Sequence, residues 1–91
     1  MHHLKSTHYL EQARMLTPTK SDYGLAQLLE CSEDAISSYR KGTRVMGDYL
    51  CLKLAALLNV DPMKVIAAAN ADREKDPERQ KEWCKLAATG D

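Results

Sequence analysis

Apolar residues recur along the chain at intervals of three and four positions, which is the spacing of one face of an α-helix. Leu25, Ala26 and Leu29 form such a stripe in the segment 22–29, and Leu50 and Leu54 begin another in the segment 48–59. No segment alternates apolar and polar residues for long enough to predict a strand. The pattern therefore predicts an all-α fold.

Capping residues divide the pattern into six predicted helices. Ser21 and Ser32 are good N-caps, and Gly42 is a good helix end. Pro62 and Pro77 each follow an aspartate, a combination that supplies an N-cap and a first-turn proline. The predicted helices cover about 7–16, 22–29, 33–41 and 48–59, with a fifth opening at 62 and a sixth at 77.

The 91 residues, 44% of them apolar, are enough for one core. We expect a domain at 1–70 and a charged segment with the sixth helix at 71–91. The segment "DREKD" at 72–76 is either a linker or a continuation of the fifth helix. In the tail, Trp83, Leu86 and Ala87 are apolar. Trp83 either folds back on the core or anchors a subunit interface, and we expect the interface.

The second and third predicted helices are short and only two or three residues apart, which is helix-turn-helix spacing. Their sequence, "SDYGLAQLLECSEDAISSYRKGTRV", resembles the helix-turn-helix of Cro/CI-type phage repressors. That family's pattern is L-A-x-x-L-G-V-S-x-x-x-I-S-x-W/Y-x-x-G. The matching residues are Leu25, Ala26, Leu29, Ser32, Ile36, Ser37, Tyr39 and Gly42. Glu30 stands where the family has Gly, which raises a question about the turn, and Cys31 stands where it has Val or Ile.

A longer resemblance covers nearly the whole chain: "YLEQARMLT…KSDYGLAQLL" and then "DYLCLKLAALLNVDPMKVIAAANADREKDPERQKEW" are similar to small repressor-like proteins of filamentous prophages. The resemblance implies a five-helix Cro/CI (lambda-repressor-like) domain plus a C-terminal helix. It also implies a transcriptional regulator, a repressor, that binds double-stranded operator DNA as a homodimer or higher homo-oligomer. Its expected place is the bacterial cytoplasm, at the nucleoid.

Helical geometry predicts which side of the third helix faces outward. With Ile36 toward the core, Asp34 and Ser38 fall on the far side and Ser37 on the flank. The resemblance implies base contacts at these three positions and at Glu33. The two acids are either helix-starting charges that complement the helix dipole, or acceptors for a cytosine amino group.

Contacts with the DNA backbone are expected around the rim of this helix. The loop after it carries three cations within residues 40–44 and is either a solvated loop or a phosphate-binding one. The formal net charge of the chain is zero, with 13 basic and 13 acidic residues, so we expect weak, salt-dependent non-specific binding. The expected backbone contacts are Lys20, Ser21, Ser32, Arg40, Lys41, Thr43 and Arg44.

Other chemistry has little support in the sequence. The histidines, among them His2 and His3, and the three cysteines lack C-x-x-C or H-x-x-x-H spacing, so no metal is expected. No glycine-rich loop or catalytic constellation indicates an enzyme, a cofactor or a small-molecule substrate, and no membrane association is expected. His2 and His3 are either native or remnants of a tag. The alternative function is a non-DNA protein-interaction module, an antirepressor or scaffold that retains the fold.

Overall fold

The computed structural model describes residues 5–88, which form six α-helices and no strand. The prediction of an all-α fold is confirmed. No helix in this part of the chain is long and apolar enough to cross a membrane. His2 and His3 lie outside the described residues. The helices are α1 (Ser6–Arg14), α2 (Asp22–Leu29), α3 (Glu33–Lys41), α4 (Asp48–Leu58), α5 (Pro62–Arg73) and α6 (Pro77–Ala88).

Side-chain caps begin α2, α3, α5 and α6 where the sequence predicts them, the last with Asp76 Oδ1 accepting a hydrogen bond from the Glu78 amide at 3.2 Å. The hydroxyl of Ser21 accepts a hydrogen bond from the Gly24 amide, and that of Ser32 accepts one from the Ala35 amide, each at 3.1 Å. Asp61 caps α5 in the same manner. Each cap satisfies a first-turn N–H that has no partner within the helix, so the starts of α2, α3, α5 and α6 are fixed locally.

The first helix ends two residues earlier than predicted. Leu16, which the sequence pattern places in the apolar stripe, is 59% exposed. The reason is the buried Thr17, whose amide and hydroxyl both donate to the carbonyl of Arg14, at 3.1 and 2.8 Å. The side chain of a polar residue thus closes the last turn of α1, and the apolar Leu16 is left in solvent.

Three helices end in the same hydrogen-bonded turn. After α2, α3 and α4 the chain enters the left-handed region at Glu30, Gly42 and Asn59, with φ of 56°, 81° and 58°. In the first turn the amide of Cys31 donates to the carbonyl of Ala26 at 2.9 Å, which is the Schellman pattern. The turn between α2 and α3 therefore forms with glutamate where the Cro/CI pattern has glycine.

All six helices contribute to one core, and the first five supply its largest side chains. Leu10 of α1, Leu25 of α2, Ile36 of α3, Leu54 of α4 and Val65 of α5 are each at most 1% exposed. Tyr39 packs against the edge of this cluster. The core thereby holds α2 and α3 in a fixed relation to the other helices.

The tail folds back on the same chain. Helix α5 continues past the predicted boundary at 70/71 to Arg73, and α6 packs along it. Ala87 is 3% exposed and Trp83 packs against the core, which is the alternative that the sequence left open for the tryptophan. Leu86 is 38% exposed. The oligomer interface predicted at these three residues stays a prediction, and Leu86 is the member that offers most surface to it.

Two glycines, Gly42 and Gly47, allow the effect of backbone conformation on stability to be tested with one substitution at each position. A Cβ at either Gly42 or Gly47 would meet no atom within 4 Å. Gly42 has φ of 81°, whereas Gly47 has φ of −75° and begins α4 without a side-chain cap. Gly42→Ser should lower the free energy of unfolding by about 1 kcal/mol through strain. Gly47→Ser should raise it by about 0.5–1 kcal/mol by supplying the cap. Urea denaturation measures both, and effects of the same sign would contradict this account.

Candidate nucleic-acid interface

The outer surface of α3 carries the residues predicted to read bases. Ile36 is fully buried, while Glu33 and Asp34 are exposed and Ser37 and Ser38 are partly exposed. The predicted orientation of α3 about its axis is therefore confirmed. The result is a polar strip on a helix whose opposite side is fixed in the core.

The two acids at the start of α3 make no side-chain hydrogen bond or ion pair within residues 5–88. The side-chain cap of the helix comes from Ser32 and from neither Glu33 nor Asp34. Both lie in the first turn, where a negative charge complements the helix dipole. Their carboxylate oxygens also remain available as hydrogen-bond acceptors, so both alternatives from the sequence stay open.

Arg40 has a structural role that the sequence does not reveal. Its guanidinium lies 2.8 Å from Glu11 Oε1 and 2.8 Å from Asp22 Oδ1, and so ties α3 to both α1 and α2. Two carboxylates compensate its charge. Arg40 is predicted from sequence as a DNA-backbone contact, but the structure engages it within the fold, and only part of its charge is left to attract a phosphate.

The rest of the basic loop, which is the cation-rich segment at residues 40–44, is held by contacts with α3. The hydroxyl of Thr43 donates to the carbonyl of Ser38 at 3.2 Å, and the guanidinium of Arg44 lies 5.4 Å from the centre of the Tyr39 ring. A cation held over an aromatic ring is attracted to it. Lys41 is exposed at the end of α3. Lys41 and Arg44 thus supply two cations of this loop, and the direction of Arg44 is set by the Tyr39 ring.

The predicted contacts before α2 and α3 are also partly engaged. The backbone at Lys20 is left-handed, and its carbonyl accepts a hydrogen bond from Arg14 Nη1 at 2.5 Å, while its side chain is exposed. The cap hydroxyls of Ser21 and Ser32 each accept an amide hydrogen bond, and Ser21 also pairs with Thr19 at 2.6 Å. The Ser32 hydroxyl keeps its own hydrogen for an outside acceptor such as a phosphate oxygen.

A buried anchor fixes the far end of the basic loop. Met46 is 1% exposed, and its carbonyl accepts a hydrogen bond from Arg73 Nη2 at 2.6 Å. The buried Cys51 thiol contacts the same carbonyl at 3.9 Å, and burial raises the pKa of this thiol to about 11. Cys51 therefore stays a neutral donor at physiological pH. The sequence does not signal the contact of Arg73 with Met46, because the two residues lie 27 positions apart.

An ion pair supports the turn between α2 and α3. Lys53 of α4 binds the carboxylate of Glu30, and its hydrogen bond and charge hold the pKa of Glu30 below the usual range. Burial raises the pKa of the neighbouring Cys31 thiol. The glutamate that departs from the family pattern thus has a partner on another helix.

No protein-family model, curated protein or solved structure matches the chain.

The two cations at the end of α3, Arg40 and Lys41, should differ in how much each contributes to the free energy of unfolding. Arg40→Gln should lower the free energy of unfolding by up to about 1 kcal/mol, because it leaves Asp22 without its partner and Glu11 with Arg14 alone. Lys41→Gln is the matched control and should have almost no effect. Urea denaturation at low and high salt tests this, and the Arg40 effect should shrink in high salt. Equal stability of the two variants would contradict the structural role of Arg40.

Proposed function

We propose that the chain is a sequence-specific DNA-binding regulator of the Cro/CI type, with α3 in the major groove. The observation that carries the proposal is the polar outer strip of α3, set on a helix whose other face is buried in the core. The short α2–α3 pair and the basic loop after α3 support it. On this proposal α1–α5 form a lambda-repressor-like domain and α6 is an addition to it.

Base recognition falls to the first two turns of α3. Ser37 and Ser38 present hydroxyls, which donate and accept hydrogen bonds and suit several base edges. Glu33 and Asp34 present acceptors, which suit the amino group of cytosine. Because the same carboxylates repel phosphates, they weaken binding in registers where no such donor faces them. Selectivity of this kind suits a chain without net positive charge.

Backbone contacts come from exposed cations and cap hydroxyls around the strip. Lys20 and Lys41 are exposed, Arg44 is held over Tyr39, and the hydroxyls of Ser32 and Thr43 lie at the two ends of α3. Few positive charges are thus available in one copy. Affinity would then depend on two copies binding two half-sites, as in other dimeric helix-turn-helix proteins.

The second candidate function is a protein-interaction module that retains the fold without reading DNA. Two observations favour it: the zero net charge, and the engagement of Arg40 by two carboxylates. Its distinguishing consequence is a partner whose binding does not depend on Lys41. The exposed outer strip of α3 is, however, more polar than the hydrophobic centre typical of protein interfaces. We therefore propose DNA as the partner.

DNA binding is tested with duplexes enriched from a random library at 100 mM salt (roughly physiological screening). We expect fluorescence anisotropy to show saturable binding by the wild-type chain. Lys41→Gln should weaken binding to all duplexes and reduce the slope of log affinity against log salt by about one. Lys75→Gln, which removes an exposed lysine of the α5–α6 connection, is the matched control. Failure of folded wild-type protein to enrich any duplex would contradict the proposed function.

Self-association is tested at the tail. Leu86→Glu should weaken the homodimer, since it places a charge on the exposed apolar side chain of α6. Met63→Glu, at a 44% exposed apolar residue of α5, is the control and should leave it intact. Sedimentation equilibrium measures both. If Leu86→Glu leaves the dissociation constant of the dimer unchanged, α6 is not part of the interface.

A further inference from the structure

A cleft of about 310 Å³ lies between the N-terminal end of α1 and the basic loop. Its walls come from three separate parts of the chain: residues 5–7, residues 39–45 and Asp72 of α5. Four of the lining residues, Lys5, Arg40, Lys41 and Arg44, carry a positive charge. The sequence does not predict the cleft, because Lys5 lies more than thirty positions from the loop.

The charge balance inside the cleft is positive. Arg40 is compensated by carboxylates of α1 and α2, but within residues 5–88 Lys5, Lys41 and Arg44 have no ion-pair partner. Among the residues that the structure describes, Asp72 is the one acidic residue that lines the cleft. Its carboxylate accepts hydrogen bonds from the amide and the hydroxyl of Ser6, at 3.1 and 2.5 Å. Three uncompensated cations therefore face one carboxylate that is already engaged.

Helix α1 adds to this field. Its first turn contains no acidic residue, and Lys5, at its N-cap position, makes no side-chain cap. The first turn of α1 thus carries no negative charge of its own, and the carboxylate of Asp72 accepts the hydrogen bond of the Ser6 amide at this end of the helix. Arg44, stacked on Tyr39, gives the cleft one cation whose direction is set before any ligand arrives. The cleft is at the small end of the range for ligand sites in proteins.

We propose that this cleft is a phosphate-binding site, formed by Lys5, Lys41 and Arg44. The ligand is a phosphoryl group, which comes either from the DNA backbone or from a free phosphate. The DNA source rests on the proposed function. It would extend the protein–DNA contact from the α3 loop to the start of α1. Asp72 holds Ser6 in place and also limits the affinity, because its charge opposes that of the ligand.

Titration with inorganic phosphate at constant ionic strength, followed by amide NMR shifts, tests the site itself. Saturable shifts are expected at the amides of residues 5–7 and 41–45. Lys5→Gln should raise the dissociation constant at least about fivefold, the scale of one charge-assisted contact. Lys75→Gln should leave it unchanged, and Asp72→Asn should lower it. Absence of saturable shifts there, or equal weakening by Lys5→Gln and Lys75→Gln, would overturn the proposal.

The source of the phosphate is tested with an enriched duplex. If the DNA backbone occupies the cleft, Lys5→Gln should reduce the salt slope of binding by about one. An unchanged slope together with saturable binding of inorganic phosphate would support the site and assign it to a free phosphate. Binding of phosphate by a chain that enriches no duplex would likewise support the cleft while the proposed function fails. Duplex binding with no effect of Lys5→Gln on either ligand would overturn the cleft alone.

Discussion

The burial of Ile36 is the constraint on which the arrangement of α3 depends. Successive residues of a helix are rotated by about 100°, so fixing one side chain in the core fixes the direction of all the others. With Ile36 fully buried, the acids and serines of the first two turns are left toward solvent. Rotation of α3 by one position would put Ala35 or Ser37 in place of isoleucine, which would lose apolar burial or bury a hydroxyl, and either is costly. The same contact that stabilises the domain therefore selects its outer surface.

Some basic residues of this molecule are paired within the fold, and others are left with their charge at the surface. Arg40, Arg73 and Lys53 lie in or beside the α2–α4 region, yet each is engaged by a carboxylate or a carbonyl of the same chain. Within residues 5–88, Lys5, Lys41 and Arg44 have no carboxylate as an ion-pair partner. A count of basic residues in the sequence cannot make this distinction. The zero net charge of the chain thus coexists with a local positive region between α1 and the loop.

Local features of the fold could be predicted from sequence, because short-range chemistry determines them. The caps at Ser21, Ser32 and Asp61 and the stop at Gly42 follow from side-chain hydrogen bonding and φ preference, and they place α2, α3 and the start of α5. The early end of α1 depends on a buried threonine that a hydrophobic pattern does not register. The end of α1 thus shows that the hydrophobic pattern alone does not predict every helix boundary.

Contacts between distant residues could not be predicted. The partners of Arg40 lie 18 and 29 positions away, and the cleft joins three segments that only the packed core brings together. For Trp83 the sequence left two environments open, and burial against its own core became apparent only from the packing of α6 on α5. One part of the candidate site therefore depends on local sequence, and the other part depends on tertiary contacts. The strip on α3 could be predicted, and the compensation of its neighbouring cations could not.

The outward strip of α3 as the base-reading surface is the central claim, and site-specific crosslinking tests it most directly. A photoreactive side chain at Ser38, in complex with an enriched duplex, is predicted to crosslink to a base within the selected site. The same side chain at Arg79, an exposed residue of α6, is predicted to give no base crosslink. Crosslinking from position 79 and none from position 38 would contradict the account.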